Sequence, residues 1–277
     1  MVYSRRSLVV AAAVCMAAAG FVVASKAQGP TTEPNLTEEE KKEFLLHAKI
    51  VNSKQIGKGV TNPWRLTLSD GSLTHDAAFQ AVDQRQDLVQ FRGGPTEIGF
   101  RDSYHYNIAA YELAKLLGLS DMVPVTVERK WQGRGGALSW WISWKWDEGM
   151  RAKQNLQPPD VVAWNNQIDK VRVFIKLIYD TDRNAGNLLI TEDWKLWIID
   201  FTRAFRHQKN LQNPEQLQRC DRQLLEKLRQ LNMKEVLART DPHLSEGEVK
   251  ALMARRDKMV DYFMKLTAQK GENAVLY

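Results

Sequence analysis

Tyr179-Asp-Thr-Asp-Arg-Asn-Ala-Gly-Asn-Leu-Leu-Ile190, followed by Trp197-Ile-Ile-Asp-Phe-Thr-Arg-Ala-Phe205, decides the reading of this chain. The two stretches put Asp182, Asn187 and Asp200 on short loops joined by a tight β-hairpin. An Asp, an Asn five residues later and a second Asp closing an apolar strand make up the set that phosphoryl transfer uses. One carboxylate orients a hydroxyl, while the amide and the second carboxylate hold Mg²⁺ or Mn²⁺ on nucleotide phosphates. The competing reading is two solvated turns beside a hairpin, since Asp and Asn are common turn formers. Against it, Asp200 ends the apolar run Leu196-Trp-Ile-Ile199, where a carboxylate without a partner is costly.

Upstream, the pattern is strand-rich. Thr37-Glu-Glu-Glu40 supplies an N-cap and an acidic first turn, which predicts a helix to about Val51. Ile56-Gly-Lys-Gly-Val-Thr61 reads as a glycine turn, Trp64 to Leu68 as an alternating strand, Ser69-Asp-Gly71 as a hairpin, and Ala77 to Val82 as a third strand. A helix from about Ser103 to Leu117, with Gly118 as its stop, precedes a hairpin of Val123–Trp131 and Ala137–Trp146 around Gly133-Arg-Gly-Gly136. After Pro158-Pro159, a helix from Asp160 to Tyr179 leads into the loop of Asp182, and roughly 214–269 is helical.

Asp182-Arg-Asn-Ala-Gly-Asn187 with Ile199-Asp-Phe-Thr-Arg-Ala-Phe205 resembles the paired motifs of the atypical kinases: the phosphatidylinositol-kinase-like, HipA-like and secreted Golgi casein kinase-like families, and similar secreted proteins of bacteria. The resemblance is strongest over 171–205 and weakens to order of elements over 56–146. It implies an α+β, two-lobed protein-kinase-like fold: a small antiparallel N-lobe with one helix (38–146) and a mostly helical C-lobe (147–277). It further implies Asp182 as catalytic base, Arg183 as the residue that positions its loop, Asn187 and Asp200 as metal ligands, and ATP with Mg²⁺ or Mn²⁺ as cofactors. Gly57-Lys58-Gly59 would then be the glycine-rich loop that approaches phosphate, though a plain turn explains two glycines equally well.

The chain departs from the family where a strand lysine and a helix glutamate are expected. Gln80 stands in place of the lysine and Asn107 in place of the glutamate. Two amides bridge by hydrogen bond and keep helix and strand together, but bring no positive charge to phosphates. Lys58 or Arg101 would be substitutes, and Glu112 a second helix carboxylate, although helical spacing turns it about 140° from Asn107. Trp131, Trp140, Trp141, Trp144 and Trp146 crowd one hairpin and its exit, with Trp140, Trp144 and Trp146 sharing a face; core packing is favoured over an aromatic wall beside adenine. Arg203 and Arg206 would bind an anion or pair within the helical half. His75, His105, His207 and His243 show no metal-ligand spacing.

Two arginines followed by the apolar run 7–24 and Ser25-Lys-Ala27 read as an export leader cleaved after Ala27, with 28–37 as a linker. A retained membrane anchor is the alternative, about 18 apolar residues being just enough to span. Either places the folded part in the periplasm or outside the cell. Cys15 lies in the leader, which leaves Cys220 alone and no intrachain disulfide. The net charge of +6 includes Arg5, Arg6 and Lys26 of the leader, and no basic stripe with interleaved aromatics marks a nucleic-acid partner. The expected partners are a nucleotide and a hydroxyl acceptor on a protein or small molecule. A pseudokinase that binds without chemistry, and a nucleotidyl transferase holding its nucleotide reversed, are the alternative functions.

Overall fold

The computed structural model describes residues 34–57, 63–90 and 96–277. The stretch read as an export leader, the stretch read as a linker up to residue 33, and the Lys58-Gly59 part of the glycine turn lie outside the described residues. Helix α1 (Glu38–His47) starts at a capping box: Thr37 Oγ1 accepts from the Glu40 amide at 3.2 Å, and Glu40 Oε2 accepts from the Thr37 amide at 2.8 Å. It does not run on to Val51. The chain turns at Ala48 into strand β1 (Lys49–Gln55), which pairs antiparallel with β2 (Trp64–Ser69), so sheet pairing claims residues that local propensity assigns to the helix. Arg129 closes the helix end by donating to the carbonyls of Leu45 at 2.6 Å and Ala48 at 2.7 Å.

The Asp70-Gly71 hairpin leads to β3 (Thr74–Gln80), with Gly71 at φ 97°. Next comes an antiparallel ribbon, β4 (Asp83–Gln90) and β5 (Thr96–Ser103), which no pattern in the sequence announces. Helix α2 (His105–Leu117) ends at Gly118, left-handed at φ 71°. Strands β6 (Thr126–Trp131) and β7 (Arg134–Trp140) form the expected hairpin, turning on Gln132 and Gly133, both at positive φ. The main sheet has the order β1-β2-β3-β7-β6. Gly136 lies where β7 crosses β3: a Cβ there would stand 2.6 Å from the Gln80 carbonyl oxygen and from the Phe79 ring, so only glycine lets the strands approach this closely.

The strand expected over Ala137–Trp146 breaks after Trp140. The Trp141 amide still bonds Asp76 of β3, at 3.1 Å, but the Lys145 amide bonds Ile190 at 2.8 Å, and Trp146 belongs to β8 (Trp146–Asp147) of another sheet. The tryptophans therefore do not share a face. Trp140 packs edge-on to Phe44 and stacks on His75, Trp131 packs on Trp64 and Phe79, Trp146 meets Trp194, and Trp144 is exposed.

Helices α3 (Glu148–Lys153) and α4 (Val161–Leu177) follow, each N-capped by an aspartate, Asp147 and Asp160. Strands β9 (Leu188–Ile190) and β10 (Leu196–Ile198) complete a three-stranded sheet of order β10-β9-β8. The remainder is helical: α5 (Arg222–Gln230), α6 (Met233–Thr240), the long α7 (Glu246–Lys270) and α8 (Glu272–Val275). Helix α2, buried along most of its length, contacts the main sheet through β6 and β7 and the later helices through α5 and α6. Among the described residues no helix is long and apolar enough to cross a membrane.

Candidate functional site

The site grows from the end of α4. The chain leaves the helix through Ile178 and Tyr179, the latter left-handed at φ 53°, and buries Asp180. Asp180 Oδ1 accepts from the Asp182 amide at 3.0 Å and sets the turn that presents Asp182. Asp180 Oδ2 accepts from Arg183 Nε at 2.9 Å and also from Nη2. The rest of that guanidinium faces the second motif: Nη1 donates to the carbonyls of Ile199 at 2.6 Å and Asn187 at 3.1 Å, and Nη2 to that of Asp200 at 3.1 Å. Arg183 thus ties the loop of Asp182 and Asn187 to the backbone of Asp200, and lies over the Phe201 ring as well. Asn184 caps a 3-10 turn over Ala185–Asn187 by accepting from the Gly186 amide.

Asp200 takes a left-handed backbone, φ 60°, a region that Asp enters more readily than most side chains. Its Oδ1 accepts from Thr202 Oγ1 at 3.2 Å and from Gln80 Nε2 at 3.3 Å. Gln80 Oε1 in turn accepts from Asn107 Nδ2 at 2.7 Å, and Asn107 Oδ1 accepts from the Phe201 amide at 2.7 Å. The two amides picked out in the sequence therefore meet and bridge β3 to α2. They also do something the sequence did not reveal, gripping Asp200 and Phe201.

Carboxylates and guanidinium groups meet at the site. Partial burial pushes the Asp182 carboxyl above its ordinary value; the Arg203 and Arg183 charges pull it back, while Asp200 and Asp180 push it further up. Asp182 itself remains open to solvent. A fourth acid, Asp102 at the end of β5, was missed in the sequence. Burial raises its carboxyl as well, with Asp200 and Asp182 adding to the effect and Thr202 and Arg203 opposing it. Only its place just ahead of a helix hinted at it, and that place reads as a capping position.

The other candidates go elsewhere. Glu112 pairs with Arg239 of α6 at 2.6 Å, and Arg101 with Glu248 of α7 at 2.9 Å. Gly57 is exposed at the end of β1, and Lys58 and Gly59 lie outside the described residues. Arg203 and Arg206 both lie over the Phe100 ring, and Arg206 donates to Thr181 Oγ1 at 3.4 Å. His75 stacks on Trp140, His105 and His243 meet at 2.9 Å through their Nδ1 atoms, and the His207 ring sits against Gly247. A depression of about 970 Å³ lined by Leu36, Phe44, Val51 and Leu73 contains none of the site residues. Among the described residues no three His, Cys, Asp or Glu side chains stand gathered for a metal ion.

No protein-family model matches the chain, and no curated protein matches it in sequence. Solved structures do match. A hydra Fam20 structure with sugar aligns over 89% of this chain and 94% of its own at 15% identity and a TM-score of 0.64. The Golgi casein kinase with Mn/ADP bound aligns over 86% and 78% at 12% identity and a TM-score of 0.61. A second structure of the Golgi casein kinase gives 13% identity and a TM-score of 0.60. At such identities the likeness is one of fold, and on that ground this chain has an atypical, α+β protein-kinase-like fold.

Proposed function

We propose that the protein is a kinase-like phosphotransferase that uses ATP with Mg²⁺ or Mn²⁺ and acts on a hydroxyl of a protein or small molecule. The observation that carries this reading is the Arg183 guanidinium, which holds the loop of Asp182 and Asn187 on the same frame as Asp200. Two solvated turns would need no such tie. The fold shared with a kinase solved with Mn/ADP supports the same reading.

The residues fit a nucleotide–cation pair. Asp200 has one oxygen engaged by Gln80 and Thr202 and a second to offer, and Asn187, whose backbone carbonyl Arg183 holds, would contribute its side-chain amide oxygen. When bound, the nucleotide and its cation supply the phosphoryl group and the charge that steadies it. Asp182 would hold the acceptor hydroxyl and take its proton, and a carboxyl raised above its ordinary value is a better base for that task. Gln80 and Asn107 carry no charge to phosphates; they hold Asp200 and Phe201 in place. A nucleotide-binding pseudokinase is the second reading, favoured by the absence of a lysine at Gln80.

Calorimetry with ATP and Mg²⁺ or Mn²⁺ tests the site: cation-dependent binding is expected, and Asp200→Ala should abolish it. Asp182→Asn should leave that binding intact and slow transfer about 10²–10⁴-fold, the usual worth of a general base. Binding that needs Asp200 with no transfer to lose at Asp182 selects the pseudokinase; no binding by the folded protein ends both readings. We also read residues 1–27 as an export leader, so that the acceptor lies outside the cytoplasm. Amino-terminal sequencing should then find a mature chain starting at Gln28, and an intact Met1 on exported protein would mean a retained anchor.

A further inference from the structure

We propose that Asp102 is a second carboxylate of the cation site built on Asp200, supplied by strand β5 because helix α2 supplies none. The inference rests on Asp200 being a cation ligand, as proposed above. On α2 the residue nearest this place is Asn107, and both ends of its amide are engaged, Nδ2 with Gln80 and Oδ1 with the Phe201 amide. Any further negative charge at Asp200 has to come from another element.

Strand β5 brings it. The Ser103 amide donates to the Thr202 carbonyl at 2.8 Å, which fastens the end of the strand to the segment just after Asp200. The Thr202 hydroxyl stands between the two acids, donating to Asp200 Oδ1 at 3.2 Å and within reach of Asp102. One hydroxyl has one proton, so it cannot satisfy both. Asp102 Oδ1 is shielded from solvent and has no hydrogen-bond partner. A shielded carboxylate oxygen without a donor is costly, and the nearby Asp200 and Asp182 charges add to that cost while the Arg203 charge opposes it. Asparagine at 102 would remove the repulsion and offer a donor to Asp200.

A divalent cation turns that cost into binding, since it accepts both oxygens and replaces repulsion with attraction. Because no three acidic side chains are already gathered among the described residues, the coordination is completed by phosphate oxygens and water, the usual company of Mg²⁺ on one or two carboxylates.

The test is Mn²⁺ binding to the full chain, followed by electron paramagnetic resonance with and without ADP, beside thermal melting in EDTA. Asp102→Asn should weaken Mn²⁺ binding about tenfold or more, while melting in EDTA at or above the temperature of the unchanged protein. Asp102→Ser should behave alike. Equal Mn²⁺ affinity in both variants overturns the role of Asp102 and leaves Asp200 as a ligand. Variants that melt lower in EDTA make Asp102 a structural residue and also overturn it. If the unchanged protein takes up no Mn²⁺ even with ADP, the reading of Asp200 fails first and Asp102 with it.

Discussion

Arg183→Ala is expected to lower stability by about 3–5 kcal/mol and to abolish any transfer activity, the first because the change strands a buried acid. The Arg183 side chain is 10% exposed and that of Asp180 only 1%, so water cannot replace the lost partner. The carbonyls of Asn187, Ile199 and Asp200 lose a charged donor at the same time. The loop of Asp182 would then be held to the Asp200 segment by the short hairpin, the Ile199–Asn187 backbone bond and the bonds of Thr181 to the Arg203 carbonyl, none of which carries a charge. Arg183→Lys separates the two effects. It keeps the charge beside Asp180 and should recover part of the stability, but an ammonium cannot span four acceptors in a plane, so activity should stay low. Urea unfolding and a phosphate-transfer assay on the two variants check this. Unchanged melting in Arg183→Ala would refute it.

Arg255→Ala is the second large effect, of about 4 kcal/mol or more, read as a melting point lower by roughly 10 °C. Arg255 is fully buried on α7 and has carbonyls, not an acid, for company. Nε donates to Leu177 at 2.7 Å, Nη1 to Arg206 at 2.9 Å and also to Gln208, and the guanidinium lies over the Tyr179 ring. Burial pushes it down to about 10. These contacts clamp the end of α4, from which the loop of Asp182 departs, and the segment after Phe205 onto one helix. Removing the side chain leaves unpaired carbonyls and a cavity together. Scanning calorimetry gives the answer directly, and a melting point within a degree or two of the original would contradict the role of Arg255.

Local signals in the sequence were reliable where the physics is local. The Thr37 N-cap, the Gly118 stop and the Asp70-Gly71 turn all depend on residues within a few positions, and all three form. The hairpin of β9 and β10 was legible for the same reason. The β4–β5 ribbon was not: Asp83-Gln-Arg-Gln is solvated on both faces and shows no alternation of apolar and polar residues. The overrun of α1 and the false continuation of β7 share a cause, since in both the backbone follows a distant strand in preference to its own propensity. At the site, Gln80 and Asn107 could be located from the order of elements, yet their hold on Phe201 and Asp200 joins segments about a hundred residues apart. Asp102 and Arg255 gave no warning. One stands just ahead of a helix and the other on a long helix, and only tertiary contact distinguishes them from ordinary charged residues in such places.

The amide bridge from Gln80 through Asn107 to the Phe201 backbone has a consequence for control of the molecule. An ion pair between strand and helix can be loosened by acid or by added electrolyte, since both diminish the attraction between its charges. Amides do not titrate, and their hydrogen bonds are little affected by counterions. The hydrogen bond between helix α2 and strand β3 is therefore indifferent to acidity and salinity in a way that an ion pair at the same place would not be.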